Sequence, residues 1–177
     1  MRLNIASGYE PTEGFTNLDV NPNAPGVDIV GPMYPLQLPD GSVEEIRATN
    51  CLEHLPYRQS AAALKDWARV LVRGGRMFLQ VPDAETICEW LLCEPWKLVD
   101  RLPPDLPQLP EVGAAWRLLG GQEDDEHAKA GDDWKWNAHY ALFTPDYLRE
   151  ILDDAGFEVE SLTVNVHPNC LVWCVKP

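Results

Sequence analysis

The stretch "TPDYLREILDDAGFEVESLTVNVHPNCLVWCVK", residues 144–176, constrains the fold more than any other part of the chain. Thr144 is a helix cap and Pro145 suits the first helical position. Leu148, Ile151 and Leu152 form an apolar stripe, and Gly156 supplies the stop. Two runs rich in strand formers follow, 157–165 and 170–176, joined by "HPN". So short a connection makes neighbouring strands antiparallel. Upstream, the order alternates. Strands are expected at 2–6, 15–20, 27–30, 45–50 and 76–82. A helix is expected over 58–75, where Ala61, Leu64, Trp67, Ala68 and Leu71 recur at helical spacing before Gly74-Gly75. Residues 84–93 and a short piece near 112–119 also read as helical. Alternation of this kind means crossover connections and a mostly parallel sheet. The fold class is therefore α/β, a mostly parallel sheet ending in an antiparallel hairpin.

The opening run "LNIASGYEPTEGFTNLDV", Leu3 to Val20, adds a second constraint. Its two apolar segments are separated by a loop too short for the helix that normally connects the first strands of such a sheet. The N-terminal helices are reduced.

Composition excludes several partners. The 177 residues carry a net charge of −14, so a polyanion such as a nucleic acid, or an anionic membrane surface, is disfavoured. No run approaches the ~20 apolar residues of a membrane span, and the apolar start stops at Ser7, unlike a signal peptide. The five cysteines, 51, 88, 93, 170 and 174, read as reduced thiols of a cytoplasmic protein rather than metal ligands. The acidic run at 120–133 reads as a solvated loop or as a docking surface for a basic partner.

Taken in order, "LNIASGYEPTEGFTNLDV", "LPDGSVEEI", "LEHL", "RVLVRGGRMFLQVPD" and "NAHYALFTPDYLREILDDAGFEV" resemble the class I S-adenosylmethionine-dependent methyltransferases, in particular a small group of the type 11-like kind. The resemblance covers most of the chain, the unmatched part being mainly 94–119. It implies a Rossmann-like sheet, S-adenosylmethionine as cofactor and a methyl acceptor that is a small molecule or otherwise peripheral. The short loop after the first strand matches the group's own loop, so the missing helix belongs to the group.

By this resemblance, Ala6, Ser7 and Gly8 approach the cofactor after the first strand. Ala6 stands where relatives often have glycine. Gly8 has two readings, a plain turn glycine or a backbone that lets a ligand come close. Asp19 ends the second strand; it is either a strand-end cap or the carboxylate that accepts hydrogen bonds from the ribose hydroxyls, with Val20 beside it. The adenine is implied to lie by Pro32 and Met33. Pro32 departs from the group, since it offers neither an amide donor nor a carboxylate. Asn50, Cys51 and Leu52 are implied to line the methionine end.

Two histidines are candidates for catalysis. His54 starts a crossover and is either a general base or a residue that fastens a loop. His139, in "NAHY", is expected to face the acceptor. The insert at 84–140 contains Trp90, Trp96, Trp116, Trp134 and Trp136. These rings require burial, in a satellite core, an acceptor pocket or a subunit interface through which the chain oligomerises. The expectation is one methyltransferase domain, 1–177, with the insert as its cap and no metal. Two alternatives stay open: a cofactor-binding scaffold without activity, and an NAD enzyme. The absence of G-x-G-x-x-G opposes the latter.

Overall fold

The computed structural model describes residues 1–100, 102, 104, 106–120 and 138–177. The acidic run from 121 onward, Trp134 and Trp136 lie outside the described residues. The elements are β1 (Arg2–Ile5), β2 (Thr16–Asp19), β3 (Ile29–Val30), β4 (Val43–Thr49), a 3-10 turn at Leu52–His54, α1 (Tyr57–Val70), β5 (Leu71–Pro82), α2 (Ala84–Cys93), α3 (Trp96–Val99), α4 (Pro110–Leu119), α5 (Pro145–Asp154), β6 (Glu158–Val164) and β7 (Asn169–Val175). The seven strands form one sheet in the order β3-β2-β1-β4-β5-β7-β6. β3 through β5 run parallel, and β7 is antiparallel to both β5 and β6. This is the mostly parallel sheet with an antiparallel terminal hairpin that the alternation implied.

Strand periodicity sorts the side chains. Leu3 and Ile5, Ile46 and Ala48, Met77, Leu79 and Val81, and Cys170, Val172 and Cys174 share one face and are buried. α1 and α5 close this face with Leu64, Trp67, Leu148, Ile151 and Leu152, all in the same core. Each such aliphatic side chain, fully withdrawn from water, contributes roughly 1.5–3 kcal/mol. The opposite face carries Arg47, Phe78 and Trp173, with Arg47 over the Phe78 ring at 5.7 Å and the two rings 5.1 Å apart. The helix absent between β1 and β2 leaves its place to a loop. Asn17 ties that loop down, its Oδ1 accepting from Asn4 Nδ2 and from the Thr12 amide, each at 2.9 Å.

One boundary differs from the sequence expectation. α1 ends at Val70, and Leu71–Gly75 belong to β5 rather than to the helix. Leu71 pairs with Val43, and the Gly74 amide donates to the Lys176 carbonyl at 2.7 Å. The apolar residues of "VLV" suit either element, and sheet partners decide.

The insert also gains definition. α2 is capped by Asp83, which accepts from the Glu85 amide at 3.1 Å. α2, α3 and α4 bury Ile87, Leu98 and Ala114 together, with Trp90, Leu91 and Leu118 packed around them. Trp90 thus joins a satellite core, whereas Trp96 is largely exposed. Among the described residues, no helix is long and apolar enough to cross a membrane.

Candidate active site

The carboxyl ends of β1, β2, β3 and β4 are consecutive along one edge of the sheet, which is where open α/β sheets bind ligands. The turns leaving them bring together Ala6–Gly8, Asp19–Val20, Gly31–Met33 and Asn50–Leu52. Backbone bonds fix their relative positions: the Ser7 amide donates to the Leu18 carbonyl at 3.0 Å, and the Gly31 amide to the Asp19 carbonyl at 2.9 Å.

Asp19 is 8% exposed and organises this edge. Its Oδ2 accepts from the Gly8 amide and its Oδ1 from the Asn21 amide, each at 2.8 Å. Of the two roles the sequence left as alternatives, these bonds are those of a strand-end cap. A carboxylate has about four acceptor positions, so two remain. Gly8 has φ +51°, and a Cβ built on it meets no atom within 4 Å. The space beside its backbone is open.

Two neighbouring residues lie in the left-handed region. Ala6 has φ +50°, which costs alanine about 1–2 kcal/mol, and Asn50 has φ +49°, which asparagine adopts more readily. A glycine at position 6 would adopt this conformation freely; alanine adopts it under load. Val20 and Pro32 are exposed, and Asn50 is exposed as well. Met33 is half-buried, its carbonyl held by the Trp67 indole N–H at 2.9 Å. Cys51 and Leu52, by contrast, are sealed in the main core at 1% and 0% exposure and underlie the edge rather than line it. Burial pushes the Cys51 thiol well above its usual range, with Glu53 and Asp19 adding to the effect. A cavity of about 240 Å³ adjoins the first loop, lined by Ala6, Ser7, Arg47 and Thr49 among others; it does not reach Asp19 or Asn50.

The second cluster lies just past β4. The 3-10 turn Leu52–His54 presents Glu53 and His54, and the segment 138–141 docks on it. The amides of Tyr140 and Ala141 donate to the Glu53 carbonyl at 2.8 and 3.2 Å, and the His139 amide donates to the Leu119 carbonyl at 3.1 Å. His54 and His139, distant in sequence, thereby meet edge to face with ring centroids 4.9 Å apart. Burial pushes the His54 imidazolium to lower pKa, opposed by the Ala138 and Asn50 carbonyls. Burial, together with His54, lowers His139 to about 4. Both rings are uncharged at neutral pH. His139 is then a weak proton acceptor there, weaker than the sequence alone suggests.

Glu53 is the residue that sequence reasoning passed over. It is 1% exposed, neither carboxylate oxygen has a hydrogen-bonding partner, and burial raises its pKa to about 8. A lone "LEHL" gives no sign of this, because a glutamate at a helix start is ordinarily a solvated first-turn acid.

A family model described as a methyltransferase domain matches residues 9–162. The chain belongs to this family. It is an S-adenosylmethionine-dependent methyltransferase. No curated protein sequence matches it. Among solved structures, a SAM-dependent methyltransferase from Thermotoga maritima is similar at 16% identity and TM-score 0.60, over 99% of this chain and 81% of that one. A protein from Pyrococcus horikoshii is similar at 13% identity and TM-score 0.65, over 100% and 83%. The 1,6-didemethyltoxoflavin-N1-methyltransferase of Burkholderia thailandensis, solved with 1,6-didemethyltoxoflavin and S-adenosylhomocysteine bound, is similar at 14% identity and TM-score 0.60, over 98% and 69%. At these identities the likeness is one of fold. The methyltransferase connects its own first two strands by a loop.

Proposed function

We propose that this methyltransferase acts on a small-molecule acceptor, as a single domain of residues 1–177 with 84–140 as its cap. The 1,6-didemethyltoxoflavin bound in the Burkholderia thailandensis neighbour supports the acceptor class. In this reading, Asp19 receives the ribose hydroxyls on its two remaining acceptor positions, and the Gly8 backbone lies against the cofactor. Ala6, Ser7 and Val20 flank it, Pro32 and Met33 border the adenine, and Asn50 faces the methionine end, with Cys51 and Leu52 as its floor. The observation that carries the reading is the pairing of an open Gly8 with a half-satisfied Asp19 on adjacent strand ends.

S-adenosylmethionine, when bound, supplies a methyl group on a sulfonium. Displacement at that carbon depends mainly on alignment, so the protein's work is positioning and exclusion of water. His54 and His139, neutral in their buried pair, stand on the acceptor side in this proposal.

The test is calorimetry and thermal melting with S-adenosylhomocysteine and with NAD. The adenosyl ligand is expected to bind and to raise the melting temperature, and NAD to do neither. Absence of binding by the adenosyl ligand at millimolar concentration would overturn the site assignment.

A further inference from the structure

Among the described residues, Glu53 is a buried ionisable side chain with no hydrogen-bond partner on either oxygen. Burial of such a group is costly unless something compensates it. Two imidazoles stand beside it. One donor atom from each of Glu53, His54 and His139 can be chosen so that all lie within 4.8 Å of one another. We propose that Glu53, His54 and His139 together bind one divalent cation of the zinc or manganese kind.

The spacing favours this over the simpler accounts. A proton shared between Glu53 and either ring would need donor and acceptor within hydrogen-bonding distance, and neither carboxylate oxygen has such a neighbour. Three atoms each about 2.0–2.2 Å from one ion stand roughly 3–3.5 Å apart, so a modest contraction of the cluster seats it. A ligand must offer a free lone pair to bind metal, and each neutral imidazole offers one. A bound cation would also answer the unsatisfied carboxylate. His54 is already oriented from behind: its Nδ1 lies 3.2 Å from the Ala138 carbonyl, the arrangement by which protein groups commonly steer a ligating imidazole.

The donor set selects the cation. Two imidazoles and one carboxylate suit zinc, manganese or iron, whereas magnesium and calcium prefer oxygen ligands throughout. Three protein ligands leave coordination positions open, as in catalytic rather than structural metal sites. A water or an acceptor heteroatom would occupy them. The site draws on two separate parts of the chain, the turn after β4 and the segment docked on it. Cation binding would therefore fasten the end of the insert to the sheet.

The experiment uses the full chain, stripped with a chelator and free of cofactor and acceptor. Zinc is titrated by calorimetry, and the imidazole nitrogens of the four histidines are followed by NMR. One equivalent is expected to bind, with His54 and His139 ring signals shifting and His167 unmoved. E53Q and H139A should each weaken binding at least tenfold, and each should retain the wild-type circular dichroism. If E53Q fails to fold, H139A carries the comparison, since His139 is only half-buried. The proposal is overturned if zinc does not bind, if it binds without moving the His54 and His139 signals, or if the variants bind as well as the wild type; a net charge of −14 makes non-specific binding the natural competitor. No adenosyl ligand is present, so failure here leaves the cofactor site standing, and failure of that site leaves this one standing.

Discussion

Replacing Asp19 with alanine should damage both the fold and the cofactor site, and the two effects can be measured apart. The carboxylate accepts from the Gly8 and Asn21 amides at 2.8 Å each. A hydrogen bond to a charged group contributes about 1.5–3 kcal/mol. Water can reach part of the vacated position, because the neighbouring Val20 is 48% exposed. The lower end of the range therefore applies, giving about 3 kcal/mol for the two bonds together. In a chain of this length, 1 kcal/mol corresponds to about 2–4 °C, so the ligand-free melting temperature should fall by about 6–12 °C. The first loop loses its anchor at Gly8, and the ribose loses its acceptor. Affinity for S-adenosylhomocysteine should consequently fall by about a hundredfold or more, close to 2.7 kcal/mol. Melting is recorded with and without the ligand, and affinity by calorimetry. If the ligand-free melting temperature stayed within about 1 °C of wild type, Asp19 would not be holding the loop. An unchanged dissociation constant would place the ribose elsewhere.

Other substitutions test separate parts of the structure. Ala6→Gly relieves a left-handed conformation costing about 1–2 kcal/mol, against about 0.5–1 kcal/mol of added chain entropy, so a small rise in melting temperature is expected and a fall would contradict it. Gly113→Ala drives a Cβ into the Leu98 carbonyl group, which forces α3 and α4 apart. Hydrogen exchange should accelerate in the amides of 96–99 and 111–119 while β4 and β5 keep their protection, at a cost of about 1–3 kcal/mol or more. Trp67→Phe removes the 2.9 Å bond to the Met33 carbonyl; denaturant melts should show a loss of about 1 kcal/mol or more, and a loss near zero would show that the carbonyl needs no partner. His139→Ala should leave adenosyl affinity within about threefold, roughly 0.65 kcal/mol, yet remove most turnover with a suitable acceptor. Full turnover at normal stability would take His139 out of the mechanism.

Much of the fold was legible in the sequence because the signals that set it are local. Dense apolar runs such as "RMFLQVP", closed by proline, give strands, the Thr144–Pro145 start and Gly156 stop frame a helix, and a connection as short as "HPN" leaves its strands only the antiparallel choice. Gly8 and Asp19 could be placed at strand ends for the same reason. Tertiary structure decided what depends on neighbours distant in the chain. Leu71–Gly75 satisfies helical spacing as well as a strand, and only Val43 and Lys176, one on each side, commit it to the sheet. Asp19 turned out to hold the first loop because folding brings the Gly8 and Asn21 amides to its two oxygens. Glu53 carries no mark in the sequence. Its burial, its unsatisfied oxygens and its approach to His139 arise when 138–141 docks on the turn after β4, since desolvation is a property of the packed surroundings and not of the residue.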